Sequence, residues 1–92
     1  MSDSVFKAIA DNNRRKILQL LKINDSLTAG EISAHFEFTK ASLSEHLKIL
    51  RNANLIYAQK RGQYIHYRLN TSVFEDVLSW ILNLRENKSE EK

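Results

Sequence analysis

Between Thr39 and Ile56 the chain reads T-K-A-S-L-S-E-H-L-K-I-L-R-N-A-N-L-I, and Lys40, Ser44, Glu45, Lys48 and Arg51 fall on one side of it. Cations reach phosphate oxygens, while a short hydroxyl and a carboxylate hydrogen-bond base edges, so the chemistry on offer is recognition of nucleic acid rather than bond breaking. The opposite side carries Leu43, Leu47 and Leu50 at i, i+4 and i+7, the single apolar stripe of an amphipathic helix. An ordinary surface helix with a solvated polar face would show the same assortment, so the surrounding chain must decide.

Other chemistries find little support. The chain has no cysteine, which removes disulfides, thiolate metal sites and cysteine nucleophiles. His35 and His46 fall on different helices and His66 in a hairpin, which argues against a metal site on any one element. No glycine-rich phosphate loop or Ser-His-Asp arrangement is present, and a domain this small has little room for a closed cleft. The sequence therefore predicts a non-enzyme with no catalytic residues, no metal and no cofactor.

The chain's 92 residues, 42% hydrophobic and 27% charged, describe one small soluble domain whose single core is marginal in size. A partner subunit would help it. No apolar run is long enough to span a bilayer and no signal-peptide pattern opens the chain, so no membrane insertion and a cytoplasmic location are expected. The net charge is only +3, but residues 37–70 hold six cations against two anions, whereas residues 71–92 hold three against five. A basic centre coinciding with the Thr39–Ile56 stretch suits a phosphate-contacting surface, although a solubilising charge excess would look similar.

The elements that position this stretch follow from periodicity and caps. Ser4–Ala10 is a short apolar helix candidate with Val5, Phe6 and Ile9 on one face, and Asp11 is placed to cap a second helix running to about Lys22. Arg14, Arg15 and Lys16 sit near the start of that second helix, where cations oppose its dipole. Solvent screening accounts for Lys16. Arg14 and Arg15 stay open between screening, an acidic group and a phosphate. Thr28-Ala29-Gly30-Glu31 is a capping box that starts a third helix near Ala29, with Ile32, Ala34 or His35, and Phe36 as its buried side. A brief E-F-T-K turn ends in Thr39, the N-cap of the Lys40 helix. Two helices joined by a three- or four-residue turn form a helix-turn-helix, whose second member enters the major groove.

Asn54 tolerates the left-handed conformation that closes a helix. Beyond it, Ile65, Tyr67 and Leu69 alternate with Tyr64, His66 and Arg68, and Arg61-Gly62-Gln63 interrupts the run, the pattern of a β-hairpin. Lys60 and Arg61 at its tip can reach phosphate or a minor groove, as a wing does. A last helix starts near Asn70 to Ser72 and continues to about Glu86. Its Val73, Phe74, Val77, Leu78, Trp80, Ile81, Leu82 and Leu84 exceed the one stripe needed to lie on its own domain. The excess predicts a homodimer through both terminal helices, with Val5, Phe6, Ile9, Val73, Val77, Trp80, Ile81 and Leu84 at the interface. Folding of Trp80 and Leu84 back onto the monomer is the competing arrangement.

The fold class is thus mainly α with a small β-hairpin: four helices, a hairpin and a fifth helix, a single winged helix-turn-helix domain over residues 1–92. Over nearly this whole length the chain resembles the ArsR/SmtB transcriptional regulators. The residues carrying the resemblance are F-K-A-I-A-D-N-N-R-R-K-I-L, T-A-G-E-I-S-A-H-F, S-L-S-E-H-L-K-I-L-R-N-A-N-L-I and the wing R-G-Q-Y-I-H-Y-R-L-N. The wing and the missing metal ligands are most similar to the SdpR-type autorepressor branch. The resemblance implies a bacterial-type homodimeric repressor on an inverted-repeat operator in double-stranded DNA. It also places base and phosphate contacts on Lys40, Ser42, Ser44, Glu45 and His46, although a structural role for His46 stays open. The full nucleic-acid set is then Thr39, Lys40, Ser42, Ser44, Glu45, His46, Lys48 and Arg51 with Lys60, Arg61 and Gln63 on the wing.

Departures from the family pattern are Ala41 where proline is frequent, Asn54 where glycine is usual, Asn12-Asn13 where Pro-Thr is common, and Glu45 where Gln or His is common. The Glu45 carboxylate can accept from a cytosine amino group but repels phosphate, which would bias operator choice. Relief of repression is expected from operator competition or a sequestering protein, with a membrane protein among the candidates. A protein-interaction module with the same fold, and a sensor with an unrecognised ligand site, are the alternatives.

Overall fold

Three helix starts in the first half of the chain are each fixed by a side chain one step ahead. Asp11 accepts from the Arg14 backbone N–H at 3.0 Å, Thr39 Oγ1 accepts from Ser42 N–H at 3.0 Å, and Thr28 and Glu31 satisfy each other's amides as a capping box. The computed structural model describes residues 3–90, with side chains through residue 85. Its elements are α1 (Asp3–Ile9), α2 (Asn12–Ile23), β1 (Leu27–Thr28), α3 (Ala29–Ser33), α4 (Lys40–Asn52), β2 (Ile56–Arg61), β3 (Tyr64–Leu69) and α5 (Thr71–Glu90). This is the winged helix-turn-helix expected from the sequence, with one strand more.

That extra strand is β1, which pairs antiparallel with β3 through Leu27↔Tyr67 and Thr28↔His66, giving a three-stranded sheet of order β1-β3-β2. Two residues are too few to show alternation, so only the long-range pairing reveals the strand. The hairpin itself turns on the two-residue loop Gly62-Gln63 between paired Arg61 and Tyr64. Gly62 has φ +61° and Gln63 does not share the positive φ, the pattern of a type II′ turn with glycine at its first central position.

The other differences are in element length. Helix α3 ends at Ser33, leaving Ala34 and His35 exposed, and residues 34–39 form a longer connection than the expected short turn. Phe36 and Phe38 hold that connection by stacking, with ring centroids 4.8 Å apart and planes at 11°. Helix α5 continues to Glu90, past the end near Glu86 set by its apolar pattern, because periodicity is blind to polar residues with good helix propensity. Ile65 alternates with the polar positions of β3 yet is exposed, since its part of the hairpin projects beyond the core.

The core draws one fully buried aliphatic side chain from each of three helices and one from the turn that follows: Ile17 from α2, Ile32 from α3, Leu50 from α4, and Leu55 just ahead of β2. Leu43, Leu47 and Leu50 all face it, as the stripe requires. Helix α4 stops in a Schellman motif: Leu55 N–H donates to Leu50 C=O at 3.0 Å and Asn54 N–H to Arg51 C=O at 2.9 Å, with Asn54 at φ +62°. Leu50 and Leu55 supply the apolar contact that accompanies this closure.

Arg14 and Arg15 find partners that the sequence did not offer. Arg14 donates from Nε to Ala8 C=O at 2.8 Å and from Nη2 to Lys7 C=O at 3.1 Å, while Arg15 Nη1 donates to Ile9 C=O at 2.7 Å. Both guanidinium groups therefore close the C-terminal end of α1, whose last carbonyls carry the negative end of its dipole. Their placement opposes one helix and satisfies another.

Candidate nucleic-acid interface

The outward face of α4 is built by subtraction. Its leucine stripe is spent on the core, its first amides are capped by Thr39, and what remains exposed is Lys40, Ala41, Ser44, Glu45, Lys48, Arg51 and Asn52. Three cations, one carboxylate and one hydroxyl lie along a helix of 13 residues, about 20 Å long and narrow enough for a major groove. Among the described residues Glu45 has no salt-bridge partner, so its carboxylate is available to a ligand. Ser42 is half-buried, with its amide held by the cap.

His46 turns the other way. Its ring is half-buried, 5.2 Å from the Phe38 ring, and its Nδ1 lies 3.5 Å from Arg14 Nη1, a contact that needs the lone pair on Nδ1. Asp11, Arg14, His46, Phe38 and Phe36 thus form one chain of contacts linking the end of α1, the cap of α2, the turn and the back of α4. The Asp11 carboxyl is held below its ordinary value of 3.8, first by the hydrogen bond from Arg14 N–H, which outweighs the opposing cost of burial, and then by the positive charge of Arg14. His46 braces the exposed face from behind, which periodicity alone could not distinguish from lying on that face.

On the wing, Lys60, Arg61 and Gln63 are all exposed. The register puts Tyr57, Gln59 and Arg61 of β2 opposite Arg68, His66 and Tyr64 of β3, on the sheet face turned away from the core. Arg68 stacks its guanidinium over the Tyr57 ring at 5.2 Å. Once Gly62-Gln63 is taken as a two-residue loop, that pairing can be read from the sequence, although alternation alone does not set Arg68 apart from the other polar residues of β3. Lys60 lies on the opposite face from Arg61, so the two tip cations point to different sides.

At the terminal helices, Val5 is buried in the chain's own core, packed inside rather than left for a partner. Ile9, Val73 and Val77 are half-buried against the same core. Phe6, Trp80, Ile81 and Leu84 stay exposed, and Phe6 meets Trp80 edge to face with centroids 5.7 Å apart. Among the described residues, no three His, Asp or Glu side chains converge as metal ligands would.

The bacterial regulatory protein, arsR family, matches residues 11–58, from the cap of α2 into β2. Transcriptional repressor SdpR of Bacillus subtilis (strain 168) is 52% identical over 81 residues, which cover 88% of this chain and 89% of that protein. The arsenical resistance operon repressor of the same organism is 38% identical over 74 residues, 80% of this chain and 70% of that protein. Among solved structures, an ArsR-like transcriptional regulator from Rhodococcus sp. RHA1 superposes with a TM-score of 0.85 at 22% identity, covering 95% of this chain and 81% of that one. At that identity the likeness speaks for the fold alone. The chain belongs to the arsR family of bacterial regulatory proteins: it is a DNA-binding transcription regulator and not an enzyme.

Proposed function

We propose that the chain is a sequence-specific repressor that occupies an inverted-repeat operator in double-stranded DNA as a homodimer and has no metal-sensing site. The observation that carries this reading is the exposed face of α4, where Lys40, Lys48 and Arg51 flank Ser44 and Glu45 on a helix braced from behind by His46 and Phe38. The cations suit phosphates. Ser44 and Glu45 suit base edges, with Glu45 favouring a cytosine amino group. Lys60, Arg61 and Gln63 extend the contact to a neighbouring groove. Similarity to the SdpR repressor supports repression rather than activation.

Two-fold pairing is supported by the apolar side chains that α5 and Phe6 leave in solvent, and it would set two α4 helices one helical turn of duplex apart, about 34 Å. Relief of repression would fall to a protein that sequesters the dimer, a membrane protein among the candidates, or to a small ligand other than a metal. Calorimetric titration with zinc checks the last clause, and tight stoichiometric uptake would overturn it.

Mobility-shift titrations against the chain's own upstream region test the central claim. Lys40→Ala should weaken every duplex alike and lower the salt slope by about 1, whereas Ser44→Ala should change preference at one base pair by about 1 kcal/mol. Equal binding of all duplexes by the unaltered protein would refute sequence-specific repression.

A further inference from the structure

Two concavities adjoin on the side of the molecule where α2, the wing and the start of α5 meet. The first, about 490 Å³, is lined by Lys22, Arg61 and Arg68 with Ser26, Gln59 and the single anion Asp25. The second, about 380 Å³, is lined by Leu18, Phe74 and Leu78 with Gln19 and Glu75 at its edge. Lys22, Leu69 and Thr71 belong to both, so a cationic bowl opens directly into an apolar slot.

Both halves have unmet demands. Among the described residues, Lys22, Arg61 and Arg68 make no salt bridge or side-chain hydrogen bond, not even with Asp25 on the same rim. Arg68 is stacked on Tyr57, which steadies its guanidinium while its N–H edge stays free to donate. In the slot, Leu78 is 55% exposed. Phe74 and Leu78 lie about a third of a turn around α5 from Val73, Val77, Trp80 and Leu84, with Ile81 between the two sets. The slot therefore adjoins the face proposed for dimerisation along Ile81, and it uses Phe74 and Leu78, which are not among the contacts named for pairing.

We infer that this cleft binds a small amphiphilic anion: a compact carboxylate or phosphate head among Lys22, Arg61 and Arg68, and a short apolar body along Leu18, Phe74 and Leu78. The two volumes fall within the range of ligand sites. Charge complementarity selects the head. A neutral apolar molecule leaves three cations unmet, and a bare anion leaves the slot empty. Resting on the proposed operator binding, a second consequence concerns Arg61: an anion in the bowl draws this side chain from the DNA phosphates, so ligand and operator weaken each other by the same factor.

Calorimetry on the full chain without DNA tests the site itself, using octanoate, octyl phosphate, octanol and acetate below any aggregation threshold. Octanoate or octyl phosphate should saturate at one per chain with Kd between about 0.1 and 1 mM, and whichever binds more tightly identifies the head. Octanol and acetate should each bind at least about tenfold more weakly. Lys22→Gln and Arg68→Gln should each weaken the anion about fivefold and Leu78→Asn by a similar factor, with thermal midpoints near that of the unaltered chain. Octanol binding as tightly as octanoate, or binding unchanged in all three variants, would overturn the site. A separate mobility shift with and without the better ligand reads the effect on DNA: a saturable site that leaves operator affinity unchanged removes the Arg61 consequence alone.

Discussion

Arg14 shows how one side chain can be written into two elements at once. Its backbone N–H completes the cap of α2 while its guanidinium closes α1 and touches His46 behind α4. Arg14→Ala should therefore cost about 1–2 kcal/mol in chemical denaturation, more than an ordinary exposed arginine, because it frees carbonyls of α1 and loosens the brace of α4 together. Asp11 is the partner that titrates. Its carboxyl is lowered in the folded chain, so it contributes stability above its ordinary value of 3.8 and loses that contribution as pH falls through the lower folded value. Denaturation curves of Asp11→Asn and the unaltered chain should accordingly converge as the pH is taken below about 3.8. At this scale the sequence was legible where a cap acts over three residues, as with Asp11, Thr28 and Thr39. It was silent on Arg14 and Arg15, whose partners lie six or seven residues back across a helix end that no periodicity marks.

Among the elements, α4 was the most legible, because its leucine stripe, its Thr39 cap and its Asn54 closure are all local signals that agree. Asn54 carries the closure at φ +62°, where a β-carbon is strained and Asn is better tolerated than most residues. Asn54→Ala should destabilise the domain by about 1 kcal/mol relative to Asn54→Gly, measured by thermal denaturation of the two variants side by side. Strand β1 and the length of the connection before α4 were not legible. A two-residue strand exists only through Tyr67 and His66, far along the chain, and the connection depends on Phe36 and Phe38 finding each other's faces instead of the core. His46 escaped for a related reason. Its position one residue before Leu47 fits either the rim of the DNA face or the rim of the core, and its contacts with the Phe38 ring and Arg14 lie on the core side.

The whole molecule is longer than a chain of its size needs to be. Its radius of gyration is 15.3 Å, against about 12 Å for a compact domain of this length. The excess is α5, whose residues from Leu78 outward leave the core and expose Trp80, Ile81 and Leu84. In the proposed dimer Trp80, Ile81 and Leu84 are the contact. Trp80→Asp with Leu84→Asp should sediment as a folded monomer and lose operator affinity roughly 10²-fold or more, although α4 is untouched, because each half-site is then held alone. Retained dimerisation in that variant would move the interface elsewhere. Asn70 joins this outlying helix to the rest: its side-chain amide donates to Asn54 C=O at 2.9 Å, its backbone N–H donates to Leu55 C=O at 2.9 Å, and its Oδ1 accepts from Ser72 N–H at 3.2 Å. The end of α4 and the beginning of α5 are thus clasped by one residue, which works as a protractor between them. In a paired molecule that angle fixes how far apart the two half-sites must be, so altering Asn70 should change the preferred spacer length of the operator while leaving the preferred letters of each half-site intact.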